Sequence, residues 1–450
     1  MGLTRAFLWS GVLGVGTLAL ALRLWHLGQP HALVFDEVYY VPFALDYLKG
    51  NPSFDAHPPL GKYLIALGLW LGQWPAAWLG WPTAEVEGSL VSPLAFRWLN
   101  AVVGSAIPLL LTVLAFALSS AYSPQRRRTF ALLAGLLLAT EGLILVESRL
   151  ALINIYGIAL GLLGQWAWVR APQSRHPVRW RWAAGVALGA AINVKWNWAG
   201  FWLGLLLWDL GSYPLHPSIR NSKLKTQNLS RVVYLGLVPL TTYTLLWMPH
   251  LALTGESLVT VHRQLWSIHQ LIGAGADHAY CSPWHSWPLM LRPVAYFFER
   301  SEGVTTAIHA MGNPVLWWLS TAAVLALALG WLGRQIAANS KTPRRGAACC
   351  APTTSPVVTF VLTNYLASWL PWVLVSRCTF LYHAMGMATF SALGLAWLMA
   401  QWVESHRDRP LALVLLIAIA LSFWFWLPLY LGLPLSSAAL QRRWLLPGWI

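Results

Sequence analysis

The sequence predicts an all-α polytopic membrane protein, and three observations carry that reading. Hydrophobic residues make up 57% of the 450 residues and charged residues only 10%, against roughly 25% charged in a soluble domain. The apolar residues fall in long blocks, among them Ala6 to Leu24, Ala101 to Ser119, Val232 to Met248 and Leu411 to Leu427. Each is near the roughly 20 residues that carry a helix across hydrocarbon. The strict alternation of a membrane barrel does not recur along the chain.

The first block follows Arg5 and could pass for a cleavable signal, but no small-x-small site precedes Arg23 and many apolar blocks follow. An uncleaved first span is expected. A formal charge of +15 would suit nucleic acid, yet the basic residues are scattered through short loops, so they read as topology signals and no nucleic-acid partner is expected. The dense clusters are Arg126, Arg127 and Arg128; Arg170, Arg175, Arg179 and Arg181; Arg220, Lys223, Lys225 and Arg231; and Arg334, Lys341, Arg344 and Arg345. Keeping these on the cytoplasmic side, with Arg5, Arg407 and Arg409, gives about eleven spans. They are 6–25, 95–120, 129–147, 151–169, 183–196, 198–211, 232–251, 314–333, 356–376, 379–402 and 411–431. The chain then reads as one domain, 1–450, in the inner (plasma) membrane, with its N-terminus in the cytoplasm and its C-terminus outside.

Two long segments, 25–93 and 253–313, face the extracytoplasmic side in this scheme, and function is expected where they meet the bundle. Pro59 to Leu71 is the best candidate for an amphipathic helix within them. No internal repeat is visible, and Lys341 to Pro356 reads as an ordinary loop. Cys281, Cys349, Cys350 and Cys378 show no CxxC spacing, so neither a zinc site nor a redox motif nor a disulfide framework is implied.

The first outer segment contains Val34-Phe35-Asp36-Glu37-Val38-Tyr39-Tyr40 and then Phe54-Asp55-Ala56-His57-Pro58-Pro59-Leu60-Gly61-Lys62. Adjacent carboxylates just beyond a span are placed to take a proton from a hydroxyl as its oxygen attacks a sugar carbon. By itself the pair is equally compatible with two solvated loop acids.

Asp36-Glu37 followed by Asp55-x-His57-Pro58-Pro59 resembles the first luminal loop of the protein O-mannosyltransferases. Further elements, in order, are similar to that family: Phe96-Arg97-Trp98-Leu99-Asn100-Ala101, Glu147-Ser148-Arg149, Asn193-Val194-Lys195-Trp196, and His278-Ala279-Tyr280-Cys281-Ser282-Pro283-Trp284. Trp287-Pro288-Leu289, Arg292-Pro293-Val294, Gly312-Asn313-Pro314, Tyr365 to Trp372, Arg377 and Phe380-Leu381-Tyr382-His383 complete the resemblance. Asn154 stands where an aspartate is expected, Ala279 and Gly386 where prolines are. The outer loop is too short for the β-trefoil (MIR) insert of eukaryotic members, as in a compact bacterial member.

The resemblance implies a GT-C-type bundle that transfers mannose, with inversion, from polyprenyl-phosphate mannose to Ser/Thr hydroxyls of an acceptor protein or peptide. The lipid-linked sugar is a donor substrate, and neither cofactor nor metal is implied. Asp36 is assigned as general base, with Glu37 and Asp55 positioning acceptor and sugar; Tyr280, His57 and His383 are assigned to substrate binding. Arg97 and Lys195 sit at or in apolar spans, where a charge costs roughly 2.5 to 3.5 kcal/mol. A compensating partner is therefore expected: a lipid phosphate, an internal pair with Glu141 or Glu147, or the interface reached by snorkelling. Arg292 and Arg377, at outer span ends, could fork onto a phosphate or anchor at the interface.

Most of the 30 tryptophans lie near span ends and are expected to anchor among the membrane lipids; Trp284 and Trp287 are candidates for sugar stacking. Two other functions remain open. One is a transferase of this architecture with a lipid acceptor, and the other a transporter or lipid-sugar flippase, which intramembrane charges such as Lys195 and Glu141 would also suit. Neither an inverted repeat nor paired broken helices favour the latter.

Overall fold

The computed structural model describes residues 2–211, 228–271, 278–340 and 355–449. Arg220, Lys223, Lys225, Lys341, Arg344, Arg345, Cys349 and Cys350 lie outside them. Helix α1 (Gly2–Leu24) leads into the first outer segment, which holds α2 (Glu37–Lys49), α3 (Leu60–Trp78) and the antiparallel pair β1 (Ala84–Val86) and β2 (Ser89–Val91). Then follow α4 (Pro93–Leu118), α5 (Pro124–Ala139), α6 (Gly142–Arg149), α7 (Asn154–Arg170), α8 (Pro177–Val194) and α9 (Ala199–Gly211). Helix α10 (Asn228–Thr254) contains a π-helical stretch at Val232–Leu237. The second outer segment folds as α11 (Leu258–Leu271), β3 (Val294–Ser301) and β4 (Val304–Ala310). The chain ends with α12 (Pro314–Ser340), α13 (Pro356–Trp369), α14 (Met385–Glu404), α15 (Arg409–Leu431), β5 (Pro434–Ser436) and α16 (Ser437–Gln441).

Every one of the eleven apolar segments is helical over most of its length. Among the described residues, six helices are long and apolar enough to cross a membrane, or seven when α5 and α6 count as one span. Among the rest, α9 has only 13 residues, and α8 carries Arg179 and Arg181 in its first turns. The expected straight span 129–147 is in fact two helices bent by 58°. The cause is local: the Glu141 side chain accepts hydrogen bonds from the Leu143 and Ile144 amides and so starts a new helix in mid-segment. Elsewhere helices begin where the sequence signals it, with proline at the first turn of α4, α5 and α8.

Helix α4 is central, packing against α1, α3, α5, α6 and α7. The tight approach of α7 to the chain after α8 depends on Gly157, since a Cβ there would collide with the buried Trp198 indole. Among the described residues, the basic loops after α4 and α7 meet the end of α14 at one end of the bundle: Arg126 pairs with Glu404 at 2.5 Å, and Gln173 donates to the Ala117 carbonyl. The segments expected outside gather at the other end.

Helix α3, longer than the expected Pro59 to Leu71, turns an apolar stripe outward. Trp74 and Trp78 are 78% and 85% exposed, with Trp70 and Leu67 exposed in line with them at helical spacing. Such a face suits a helix lying in the lipid headgroup region.

The all-α expectation fails in the outer segments. Besides the β1–β2 hairpin, β3, β4 and β5 form an antiparallel sheet with Val294 opposite Ala310 and Val304 opposite Ser436. The C-terminal segment is thereby stitched to the second outer segment. A bulge between Ala295 and Phe297 interrupts the register, and bulges commonly re-aim a side chain; here the residue is Tyr296. The expectation of no disulfide also fails: Cys281 and Cys378 are bonded across 97 residues, with Cα atoms 5.3 Å apart. Sequence spacing cannot reveal a pairing that the fold creates.

Candidate functional site

Phe35 and Asp36 open α2. Phe35 holds a left-handed backbone (φ 53°), uncommon for a bulky residue and a form of strain that collects at functional sites. Its ring stacks on Tyr296 at 3.9 Å, with Tyr382 edge-on at 5.8 Å. Tyr296 is the residue at the bulge, so the sheet holds the turn from above. The strained turn leaves the two neighbouring acids in different surroundings.

Asp36 occupies the N-cap position of α2 yet makes no capping hydrogen bond with its side chain. Burial pushes its carboxyl up to about 6; Lys195 opposes this and the Asp55 charge adds to it. A carboxylate poised there is suited to accept a proton.

Glu37, the next residue, is fully buried. It accepts from the Val34 and Ala151 amides, each within 2.9 Å, and from Arg97 Nε and Nη2 at 2.8 and 2.6 Å. Arg97 spends its remaining N–H groups on the carbonyls of Leu27, Pro30 and Ala32. Contrary to expectation, Arg97 therefore has no donor left for a lipid phosphate, and its carboxylate partner is Glu37, not Glu141 or Glu147. The pair ties the start of α2 to α4 and to the loop before α7.

Asp55 likewise is engaged, paired with Lys62 at 2.5 Å; Lys62 also donates to the His57 carbonyl at 2.7 Å. These contacts fix the His57-Pro58-Pro59 turn at the mouth of a cavity of about 700 Å³. Its walls include His57, Lys195, Trp196, Trp202, His269, Trp372 and Arg377. No aspartate or glutamate lines it among the described residues.

Lys195 follows the last residue of α8 in extended backbone, which ends the helix and turns the side chain to the cavity. It is buried, its Nζ 3.5 Å from Asn154 Oδ1 and 5.3 Å from the Tyr382 ring centroid. Among the described residues no carboxylate lies within ion-pair distance of it. Asn154 donates in turn to Glu147 at 3.1 Å, and Tyr296 hydroxyl donates to the other Glu147 oxygen. An amide at 154 thus bridges a buried acid and a buried cation. Arg377 donates to the Cys378 carbonyl, and the disulfide ties this segment to the Cys281 loop.

Other expected residues stand elsewhere. Arg292 forks onto the Ala279 carbonyl and reaches Gly448, with its guanidinium over the Tyr280 ring, so both residues brace the outer loop and neither lines the cavity. His383 is buried, its Nδ1 engaged by Phe380 and its ring packed on Trp372 and Tyr382. Trp287 is fully buried and donates to Ser282, and Trp284 packs on Trp369; neither lines the cavity. Asp36 too is absent from the lining; Lys195 is the link, at the cavity wall with its charge acting on Asp36.

Sequence reading missed Lys62, Tyr296, Tyr382 and His269. Tyr382 adjoins His383 and Lys62 closes the Asp55 motif, so both were in view, whereas Tyr296 depends on the bulge and His269 carries no local signal. Among the described residues no cluster of three or more His, Cys, Asp or Glu could hold a metal. The arrangement supplies a proton acceptor beside a cationic, apolar-walled cavity, as transfer from an anionic lipid carrier requires.

Comparison with known proteins agrees. Residues 14–254 match the family described as Dolichyl-phosphate-mannose-protein mannosyltransferase, and residues 254–449 match the C-terminal four TMM region of protein-O-mannosyltransferase. The chain is 26% identical to the Polyprenol-phosphate-mannose--protein mannosyltransferase of Mycolicibacterium smegmatis, over 99% of this chain and 94% of that protein. Its fold is that of the Saccharomyces cerevisiae Pmt1-Pmt2 complex bound to the sugar donor, with TM-score 0.81 at 15% identity over 98% of this chain and 92% of that one. ArnT from Cupriavidus metallidurans bound to undecaprenyl phosphate is more distant, with TM-score 0.53 at 14% identity over 92% and 63% of the two chains. These neighbours make the bundle a GT-C fold, and the chain belongs to the protein O-mannosyltransferase family.

Proposed function

We propose that this polyprenyl-phosphate-mannose–protein mannosyltransferase carries out its reaction beside Lys195, with Asp36 as general base. The acceptor Ser or Thr hydroxyl gives its proton to Asp36 as its oxygen attacks the mannose C1 from the face opposite the phosphate. The C1–O bond to phosphate breaks, the configuration inverts, and the polyprenyl phosphate leaves as an anion that Lys195 and Arg377 receive. Trp202, Leu203 and Leu374 offer the lipid chain an apolar wall. The scheme uses no metal. The observation that carries it is Lys195: a buried cation without a carboxylate partner among the described residues, shared between a cavity and a half-buried acid. A buried charge of this kind needs an anion to offset its desolvation.

The full chain in nanodiscs, given a prenyl-phosphate mannose and a Ser/Thr peptide, is expected to yield mannosylated peptide. Lys195→Ala should weaken donor binding by about tenfold or more, the worth of a hydrogen bond to a charged group. Acceptor binding should change little. Unaltered donor affinity in this variant would remove Lys195 from the donor site. Activity on a lipid acceptor, with every Ser/Thr peptide refused, would change the acceptor class.

We also propose eleven crossings, with the N-terminus cytoplasmic and the site outside, because the basic loops and the site occupy opposite ends of the bundle. In intact cells a membrane-impermeant thiol reagent should modify a cysteine placed at Glu85 and spare one at Arg175. The reverse pattern would invert the orientation.

A further inference from the structure

The cavity wall carries two imidazoles, His57 and His269, that the reaction as described does not use. Helix α11 buries Val261 and Leu265 against Trp247 and leaves Val259 and Leu271 exposed. It is pinned to the bundle through His262, whose Nε2 meets the Tyr243 hydroxyl at 2.7 Å; the same hydroxyl accepts from Trp196 Nε1 at 3.0 Å. Two turns further along, His269 reaches the cavity, its ring 5.8 Å from that of His57 and 5.6 Å from that of Trp196. One wall thus holds two imidazoles, an ammonium and a guanidinium.

We propose that His269 is a further binding residue for the phosphodiester of the lipid-linked donor, and that donor binding is coupled to proton uptake at the His57–His269 pair. The inference rests on the donor reading above. It follows from the charges that face the pair. Lys195, Arg377 and Lys62 surround His57, with the Tyr40 ring at 6.5 Å, while His269 feels Arg377 and Lys195 against the Ala56 carbonyl and Asp55. Burial first, and these cations next, hold both imidazoles below the usual histidine range. An anion entering the cavity offsets part of this cationic field and favours the imidazolium, which can then donate to a phosphate oxygen. The phosphodiester keeps its single charge throughout, so the proton taken up belongs to the protein.

The test is calorimetric titration of the purified full chain, without acceptor, by a short-chain prenyl-phosphate mannose between about pH 6 and pH 8, in buffers of different ionisation enthalpy. Wild-type affinity should rise as pH falls, with net proton uptake. His269→Gln should bind about tenfold more weakly and take up less proton. His269→Arg, a cation throughout this range, should restore affinity and not the uptake. Wild-type affinity and uptake in His269→Gln, with donor binding intact, would overturn this inference alone. Absence of donor binding by the wild type would overturn the donor reading with it.

Discussion

Replacing Asp36 with asparagine is expected to lower turnover by roughly 10² to 10⁴, the usual contribution of a positioned general base. The amide keeps the size and removes the proton acceptor. Because the Asp36 side chain makes no capping bond, the helix start should survive and thermal stability should change little. The pH profile offers a second reading. With the carboxyl raised to about 6, the protonated form predominates below that value and cannot accept a proton. Wild-type turnover should therefore climb through about pH 6 and level off above it, and this limb should vanish from the residual rate of Asp36→Asn. Turnover of the variant at the wild-type level would remove Asp36 as base.

The neighbouring acid should behave in the opposite way. Arg97→Ala strands a fully buried Glu37, and Glu37→Gln strands Arg97; removing one partner of a buried pair costs roughly 3 to 5 kcal/mol. Both variants should melt far below the wild type and accumulate poorly, and whatever fraction folds should keep its donor affinity. Normal melting with lost donor affinity in Arg97→Ala would return Arg97 to the donor site.

These contrasting outcomes show where sequence reading ended. Apolar run length identified the eleven segments expected to span because hydrocarbon imposes length locally, whereas α2 and α11, which lie in the outer segments, carry no such run. Lys195, Arg377 and His57, drawn from segments far apart in sequence, do meet at one cavity. Asp36 and Glu37, by contrast, were read as a working pair, whereas successive residues at a helix start point in directions about 100° apart. Asp36 comes under the charge of Lys195, and Glu37 pairs with Arg97 of α4. Sequence leaves three partners open for Arg97 and two for Arg292, because a guanidinium fits carbonyl and carboxylate oxygens as well as phosphate and sequence does not say which it meets. The outer sheet escaped notice because the bulge breaks the pattern of β3 and because β5 is only three residues long. His269 depends on how α11 lies across the cavity, a tertiary fact without a local trace.

The bond between Cys281 and Cys378 encloses β3, β4, α12 and α13 in one covalent ring. In the proposed topology α12 leaves the outer side and α13 returns to it. The two sulfurs therefore share a compartment when both helices cross or neither does. A chain in which one of the pair failed to insert would strand the thiols on opposite faces of the bilayer, where no oxidant can join them. The closed ring thus records that neither helix was inserted without the other, and it ties the segment bearing Arg377 to the loop of Cys281 on one face of the bilayer.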